Sequence, residues 1–157
     1  MAGDRSGAGV LEIVVEEVVR APRARVWRAL TRELGRWWPA GFLSMEGSRR
    51  MVLEPRLGGR MYEDAGRGQG LVWYTVAGIL QGRRLVLAGD IGADLGGPAR
   101  TLATFTLEDA GGGTRVILKD VLVGRVDRKN ARAIEGGWKT LLGKGLRPWA
   151  EKAARRK

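Results

Sequence analysis

Arg20-Ala-Pro-Arg-Ala-Arg-Val-Trp-Arg-Ala-Leu-Thr31, followed closely by Trp37-Trp38-Pro39, decides how this chain is read. Upstream, Val10–Val19 is dominated by β-branched residues and reads as a strand. Leu11, Ile13, Val15, Glu17 and Val19 form its more apolar face, which is expected to point inward with Glu17 as the anomaly. Pro22 then sets φ and withdraws a backbone donor, so a helix is expected to open at Arg23 and run to Thr31. A second short helix is expected over Glu33–Trp38, stopped by Pro39, with Phe42-Leu43 in the following loop.

Glycine punctuates the centre of the chain. Strands are expected at Arg49–Glu54 and Arg60–Asp64, with Gly58-Gly59 turning between them. Ala65–Gly70 reads as a turn into a long strand, Leu71–Leu80, with Leu71, Trp73, Thr75, Ala77 and Ile79 on one face. Further strands are expected at Arg84–Gly89, Arg100–Glu108 and Thr114–Leu122, the last placing Val116, Leu118, Asp120 and Leu122 on one side. The spacing describes an antiparallel meander of about six strands in addition to the first.

A terminal helix is expected from Asp127, a good N-cap residue. Ala131, Ile134, Trp138, Leu141, Leu142, Gly145, Leu146, Trp149 and Ala153 fall on its apolar stripe. Gly136-Gly137 points to a bend or a close approach, and Pro148 to a kink or fraying of the last turns.

Composition narrows the chemistry. The 157 residues contain no cysteine and no histidine, which removes disulfides, thiol nucleophiles, thiolate metal sites and imidazole bases or ligands. No catalytic set, metal site or cofactor is therefore assigned. The glycine runs are hairpin turns, because neither a phosphate-binding Gly-Lys-Ser/Thr nor a dinucleotide fingerprint occurs among them. No apolar run approaches the roughly 20 residues that span a bilayer, and a cytoplasmic location is expected. The net charge of +11 is concentrated at the end: residues 123–157 carry eleven Lys and Arg against three acidic residues. Such a face is usually the solvated side of an amphipathic helix, and no nucleic-acid-binding motif accompanies it, so nucleic acid is not expected as a partner.

In this order the motifs resemble those of the START-like (SRPBCC, birch-pollen-allergen-type) superfamily. They come nearest to its bacterial branch, named after the activator of heat-shock-protein ATPase homologues. The resemblance rests on Ala21-Pro22, Val26-Trp27, Leu30-Thr31 and Trp37-Trp38-Pro39. It continues through Gly58-Gly59-Arg60-Met61-Tyr62, Gly70 before Trp73, Arg84–Leu87, Gly113–Val116 and Gly137-Trp138 with Leu141-Leu142. It implies an α+β helix-grip fold: a curved antiparallel sheet of six to seven strands wrapped around a long C-terminal helix, with two short helices after the first strand. The expected layout is a flexible lead-in over 1–9, a single START-like domain over 10–152 and a basic tail over 153–157.

The resemblance also implies a cavity between sheet and helix for a small hydrophobic molecule. Glu17, Trp38, Phe42, Tyr62, Trp73, Asp120, Trp138 and Leu142 are its candidate ligand-contacting residues. Trp73 and Trp138 offer broad faces for an aromatic wall, and Trp38 with Phe42 a lid. Tyr62 and Tyr74 are phenols able to orient a ligand carbonyl. Glu17 and Asp120 have two readings each: a polar anchor inside the cavity, or a structural pairing, with an Arg in the case of Glu17. Three functions stay open. They are ligand binding without chemistry, a cyclase, dehydratase or hydrolase using a carboxylate or Tyr, and a co-chaperone-like module whose basic helix meets an acidic protein partner. Homodimerisation is a further open alternative.

Overall fold

A computed structural model describes residues 8–155. Strand β1 (Gly9–Val19) leads into helices α1 (Arg23–Arg32) and α2 (Leu34–Trp37) and a 3-10 turn at Ala40–Phe42. Six strands follow: β2 (Arg50–Leu53), β3 (Arg60–Gly66), β4 (Gln69–Leu80), β5 (Arg84–Ile91), β6 (Ala99–Ala110) and β7 (Gly113–Gly124). A single sheet results, in the order β1-β7-β6-β5-β4-β3-β2, with every pair antiparallel. The chain ends in helix α3 (Arg128–Thr140), a π-helical segment (Leu141–Leu146) and helix α4 (Arg147–Arg155). The lead-in expected over 1–9 lies outside the described residues up to residue 7, and Gly9 already opens β1. Of the tail expected over 153–157, residues 156 and 157 lie outside them, and the others continue α4.

Strand alternation sets the buried face. Ile13, Val15 and Val19 of β1 are buried while Val10, Val14 and Val18 are exposed, which is the parity that the sequence pattern gives. Across the ladder Val15 faces Leu118 and Ile13 faces Asp120. The inner faces of β1, β6 and β7 join Trp138, Leu141, Leu142, Leu146 and Ala150 of the terminal helix in one core. This is a helix-grip arrangement.

Local chemistry explains the helix boundaries. The Pro22 carbonyl accepts from Arg25 and Val26 and starts α1. Trp38 precedes Pro39 and is forced to extended backbone, φ −70° and ψ 121°, so α2 stops at Trp37 instead of including Trp38. Asp127 caps α3, its side chain accepting from the Asn130 N–H at 2.7 Å. Pro148 does not end the helix. The widened π turn just before it changes the hydrogen-bond ladder that the proline ring would otherwise break, and the helix continues to Arg155. Gly145 within that turn lies against Trp37: a Cβ there would sit 2.8 Å from the indole Cε3 and 3.1 Å from the Trp37 carbonyl oxygen. Only glycine lets the two segments approach so closely. Of the Gly136-Gly137 pair, Gly137 packs under Phe42 while Gly136 faces open space.

The inner face of β4 departs from simple alternation. Met61 pairs with Tyr74 but Tyr62 pairs with Val72, leaving Trp73 as an extra residue; a second shift falls between Val76 and Gly78. Two bulges therefore change the face twice, and Val76 is buried while Thr75 and Ala77 are exposed. The face expected from strict alternation is corrected accordingly. The β3–β4 connection is also tighter than expected, since strands run to Gly66 and from Gln69 around Arg67 and Gly68, both at positive φ.

Candidate functional site

A cavity of about 380 Å3 opens between the β2–β4 end of the sheet and helix α3. Trp38, Gly41, Phe42 and Ser44 wall it from the segment after α2. Met51, Met61, Trp73 and Tyr74 wall it from β2, β3 and β4, and Ala133, Ile134, Gly137, Trp138 and Leu141 from the terminal helix. None of these side chains is charged. A second depression of about 420 Å3 lies between residues 31–36 and the edge strand β2. It is lined by Arg32, Glu33, Arg36 and Arg50 and shares only Met51 with the aromatic wall.

The bulge in β4 builds part of the wall. It brings consecutive residues, Trp73 and Tyr74, to the same cavity, which a regular strand cannot do. Gly89 on β5 makes the room: a Cβ there would lie 2.1 Å from the Trp73 carbonyl oxygen and 2.9 Å from Tyr74 Cδ1. On the opposite wall the Trp138 ring is held edge-on by Phe105, centroids 5.6 Å apart at 80°.

Beneath Trp138 lies a buried polar chain. Asp120, 1% exposed, accepts from the Thr101 hydroxyl and from Trp138 Nε1 at 3.1 Å. Thr101 also bonds the Tyr74 phenol. Thr101 therefore sits between the Tyr74 phenol and the Asp120 carboxyl. Burial pushes the Tyr74 phenol well above its ordinary range, and the Asp120 charge adds to the effect. Burial likewise raises Asp120, with the Thr101 and Trp138 donors opposing it.

The sign of the pH dependence follows. A carboxyl raised in the fold keeps its proton where the unfolded chain has lost it, so its contribution is complete below about pH 4 and is lost as pH rises through the folded-state value. Asp120→Asn is uncharged at every pH and is expected to lack this decline. Urea denaturation across a pH series should show wild type losing stability relative to the variant as pH rises from about 4. A pH-independent difference between the two would contradict a raised Asp120.

Glu63 is a further buried carboxylate, 0% exposed, that organises the rim. It accepts from the Ser44 N–H, from the Met45 N–H at 2.9 Å and from the Ser48 hydroxyl at 3.1 Å, which pins residues 44–48 beside the cavity. Nothing in the local sequence marks it, because its partners lie 15 to 19 residues away.

Of the residues expected to contact ligand, Trp38, Phe42, Trp73 and Trp138 line the cavity, and Asp120 lies behind Trp138 without lining it. The other three are placed elsewhere. Glu17 is bonded to Arg147 at 2.7 Å, satisfying the structural alternative of an Arg partner. Tyr62 alternates to the face opposite the buried Met61 and Glu63 and packs under the Arg60 guanidinium, 4.8 Å from its ring. Leu142 is fully buried in the core. Tyr74, Met51, Met61 and Ile134 join the wall, Tyr74 through the bulge. Among the described residues no group of three or more carboxylates is placed to hold a metal ion, and no helix is long and apolar enough to cross a membrane.

Comparison with known proteins agrees with this architecture. The family model described as Activator of Hsp90 ATPase homolog 1-like protein matches residues 20–149. An uncharacterised protein from Rhizobium leguminosarum is 21% identical, with 93% of this chain and 97% of that one covered and a TM-score of 0.69. The protein Mll3558 from Rhizobium loti is also 21% identical, covering 87% and 95% with a TM-score of 0.67. DynU16, from the dynemicin biosynthetic locus, is 20% identical with a TM-score of 0.66; the match spans 91% of this chain but 48% of DynU16. At these identities the likeness is one of fold. No curated protein matches significantly.

Proposed function

Starting from a chain that belongs to the Activator of Hsp90 ATPase homolog 1-like family, we propose that it binds a neutral, largely apolar small molecule between sheet and terminal helix without transforming it. The observation that carries this reading is the cavity of about 380 Å3 walled by Trp38, Phe42, Trp73 and Trp138. Its size falls within the roughly 300–1,000 Å3 of small-molecule sites, and its predominantly apolar lining with few polar groups matches their usual composition.

Binding is favoured over turnover by the absence of a carboxylate or cation from the described lining. Asp120 is committed to Thr101 and Trp138, and Tyr74 is held as the neutral phenol, so neither is poised for proton transfer near neutral pH. The activity in the family's description is that of the protein so named. Native mass spectrometry of protein purified from its own host tests the reading. A retained small molecule, released on denaturation, is expected. A chain that carries only its own mass, and that no apolar compound of a screening library stabilises against heat, would sink it.

A further inference from the structure

We propose that the depression between the α1–α2 junction and the edge strand β2 is an anion site, where Arg32, Arg36 and Arg50 hold a phosphate monoester. This site is separate from the aromatic cavity, with which it shares only Met51, and it stands whether or not that cavity is filled. Three guanidiniums reach it from three elements: Arg32 ends α1, Arg36 lies on α2 and Arg50 opens β2. Arg32 and Arg36 are exposed, and among the described residues neither guanidinium has an ion pair. Arg50 makes only long bonds, 3.3 and 3.4 Å, to one oxygen of Asp64, and its side chain is 64% exposed. Bonds of that length are weak, so a stronger acceptor in the depression can draw this guanidinium over.

Glu33 is the one carboxylate among the described lining residues, and its oxygens are already taken by Arg25, Arg28 and Trp149. The depression therefore presents uncompensated positive charge. Leu34, Met51 and Leu53 in the lining are buried, and such an apolar base strengthens the attraction for an anion relative to open water. Gly35 fixes the spacing of the two rims, since a Cβ there would lie 3.0 Å from the Met51 carbonyl oxygen. Planar guanidinium forks match the oxygens of a phosphate, and several of them together favour a dianion over a single carboxylate. A phosphate monoester carries close to two charges at neutral pH. The volume of about 420 Å3 is that of a small-molecule site and leaves room for an organic body behind the phosphate.

Phenyl phosphate and phenol share a ring and differ in the phosphate, which makes them a matched pair of probes. Titrated into the 15N-labelled full-length chain, phenyl phosphate is expected to shift the amide signals of residues 32–36 and 50–53 to saturation, and phenol to leave them in place. Replacing Arg32→Gln, Arg36→Gln and Arg50→Gln together should weaken binding at least about tenfold. Replacing Arg128→Gln, Lys129→Gln and Arg132→Gln removes the same charge from exposed positions of α3 outside the depression. At physiological ionic strength that control should stay within about twofold of wild type. Should the first variant fail to fold, the map of wild-type amide shifts decides. Equal losses in the two variants, or shifts spread over all the basic surfaces, overturn the site, because phosphate would then follow net charge alone. Vesicles of equal parts phosphatidic acid and phosphatidylcholine distinguish the source of the phosphate. Co-sedimentation that only the first variant loses supports the site with a lipid headgroup as its ligand. Saturable binding of phenyl phosphate without co-sedimentation supports it with a soluble one. Binding of neither overturns the proposal and leaves the reading of the aromatic cavity untouched.

Discussion

Leu142→Ala is expected to lower the free energy of unfolding by about 2–5 kcal/mol, the largest effect of any single side-chain truncation considered. Leu142 is 0% exposed and sits where the π turn meets the core shared with Trp138, Leu146 and the inner sheet face. Truncation removes buried methyl groups and leaves a void that the surrounding elements cannot fully close, because the wide helical turn and the seven-stranded sheet both resist collapse. Its position outside the cavity wall separates two effects that would coincide for a ligand-contacting residue. Urea denaturation should show a lower midpoint with an unchanged m-value. Affinity of the folded variant for a cavity probe should stay near wild type. A loss of stability under about 1 kcal/mol would mean that Leu142 is not packed as described.

Glu33→Ala is expected to cost about 2–3 kcal/mol at neutral pH, less than a fully buried pair because some solvent still reaches the site. The Glu33 side chain is 18% exposed and Arg25 17%. Its two oxygens take 2.9 Å and 2.8 Å bonds from the Arg25 guanidinium, a 3.1 Å bond from Arg28 and a 2.8 Å bond from Trp149 Nε1. One carboxylate thus ties the α1–α2 junction to α4. The Arg25 hydrogen bonds are the main reason that its pKa falls to about 2 from an ordinary 4.5, with Trp149 and Arg28 adding to a pull that burial opposes.

Here the folded-state value is depressed, so the stabilisation is present above about pH 4.5 and is lost as pH falls toward 2. The variant should therefore differ most from wild type at neutral pH and converge with it in acid. It also strands a buried guanidinium and an indole donor, which separates this effect from simple loss of surface charge. An equal loss at pH 2 and pH 7 would show that packing, rather than the ion pair, is what the substitution removes.

Much of the architecture is local and therefore readable along the chain. β1 alternates cleanly because one of its faces meets the core and the other does not, and Val10, Val14 and Val18 mark the exposed side. Asp127 caps α3 through a residue three positions on, and the glycine pairs open hairpins whose strands are neighbours in sequence. Of the candidate site, Trp38 and Phe42 on the connecting segment, Trp73 on β4 and Trp138 on the helix stripe were named through the resemblance, and all four line the cavity. On β4 the same alternation that succeeded for β1 fails. One extra residue at Trp73 shifts the register, and the bulge depends on space that Gly89, on another strand, provides.

The amino-acid sequence alone determined the order of elements, the buried face of β1, the cap of the terminal helix and, through the missing histidine and cysteine, the chemistry that this chain lacks. Tertiary structure alone decided which polar groups meet. Glu33 finds Trp149 116 residues away, Glu17 finds Arg147 130 residues away, and Asp120 finds both Thr101 and Trp138. It also decided that the donors of Trp38 and Trp73 are left over. Periodicity reports which way a side chain points relative to its own element. Whether a buried donor or carboxylate is satisfied depends on groups brought up from elsewhere in the chain, and only the packed fold assembles those.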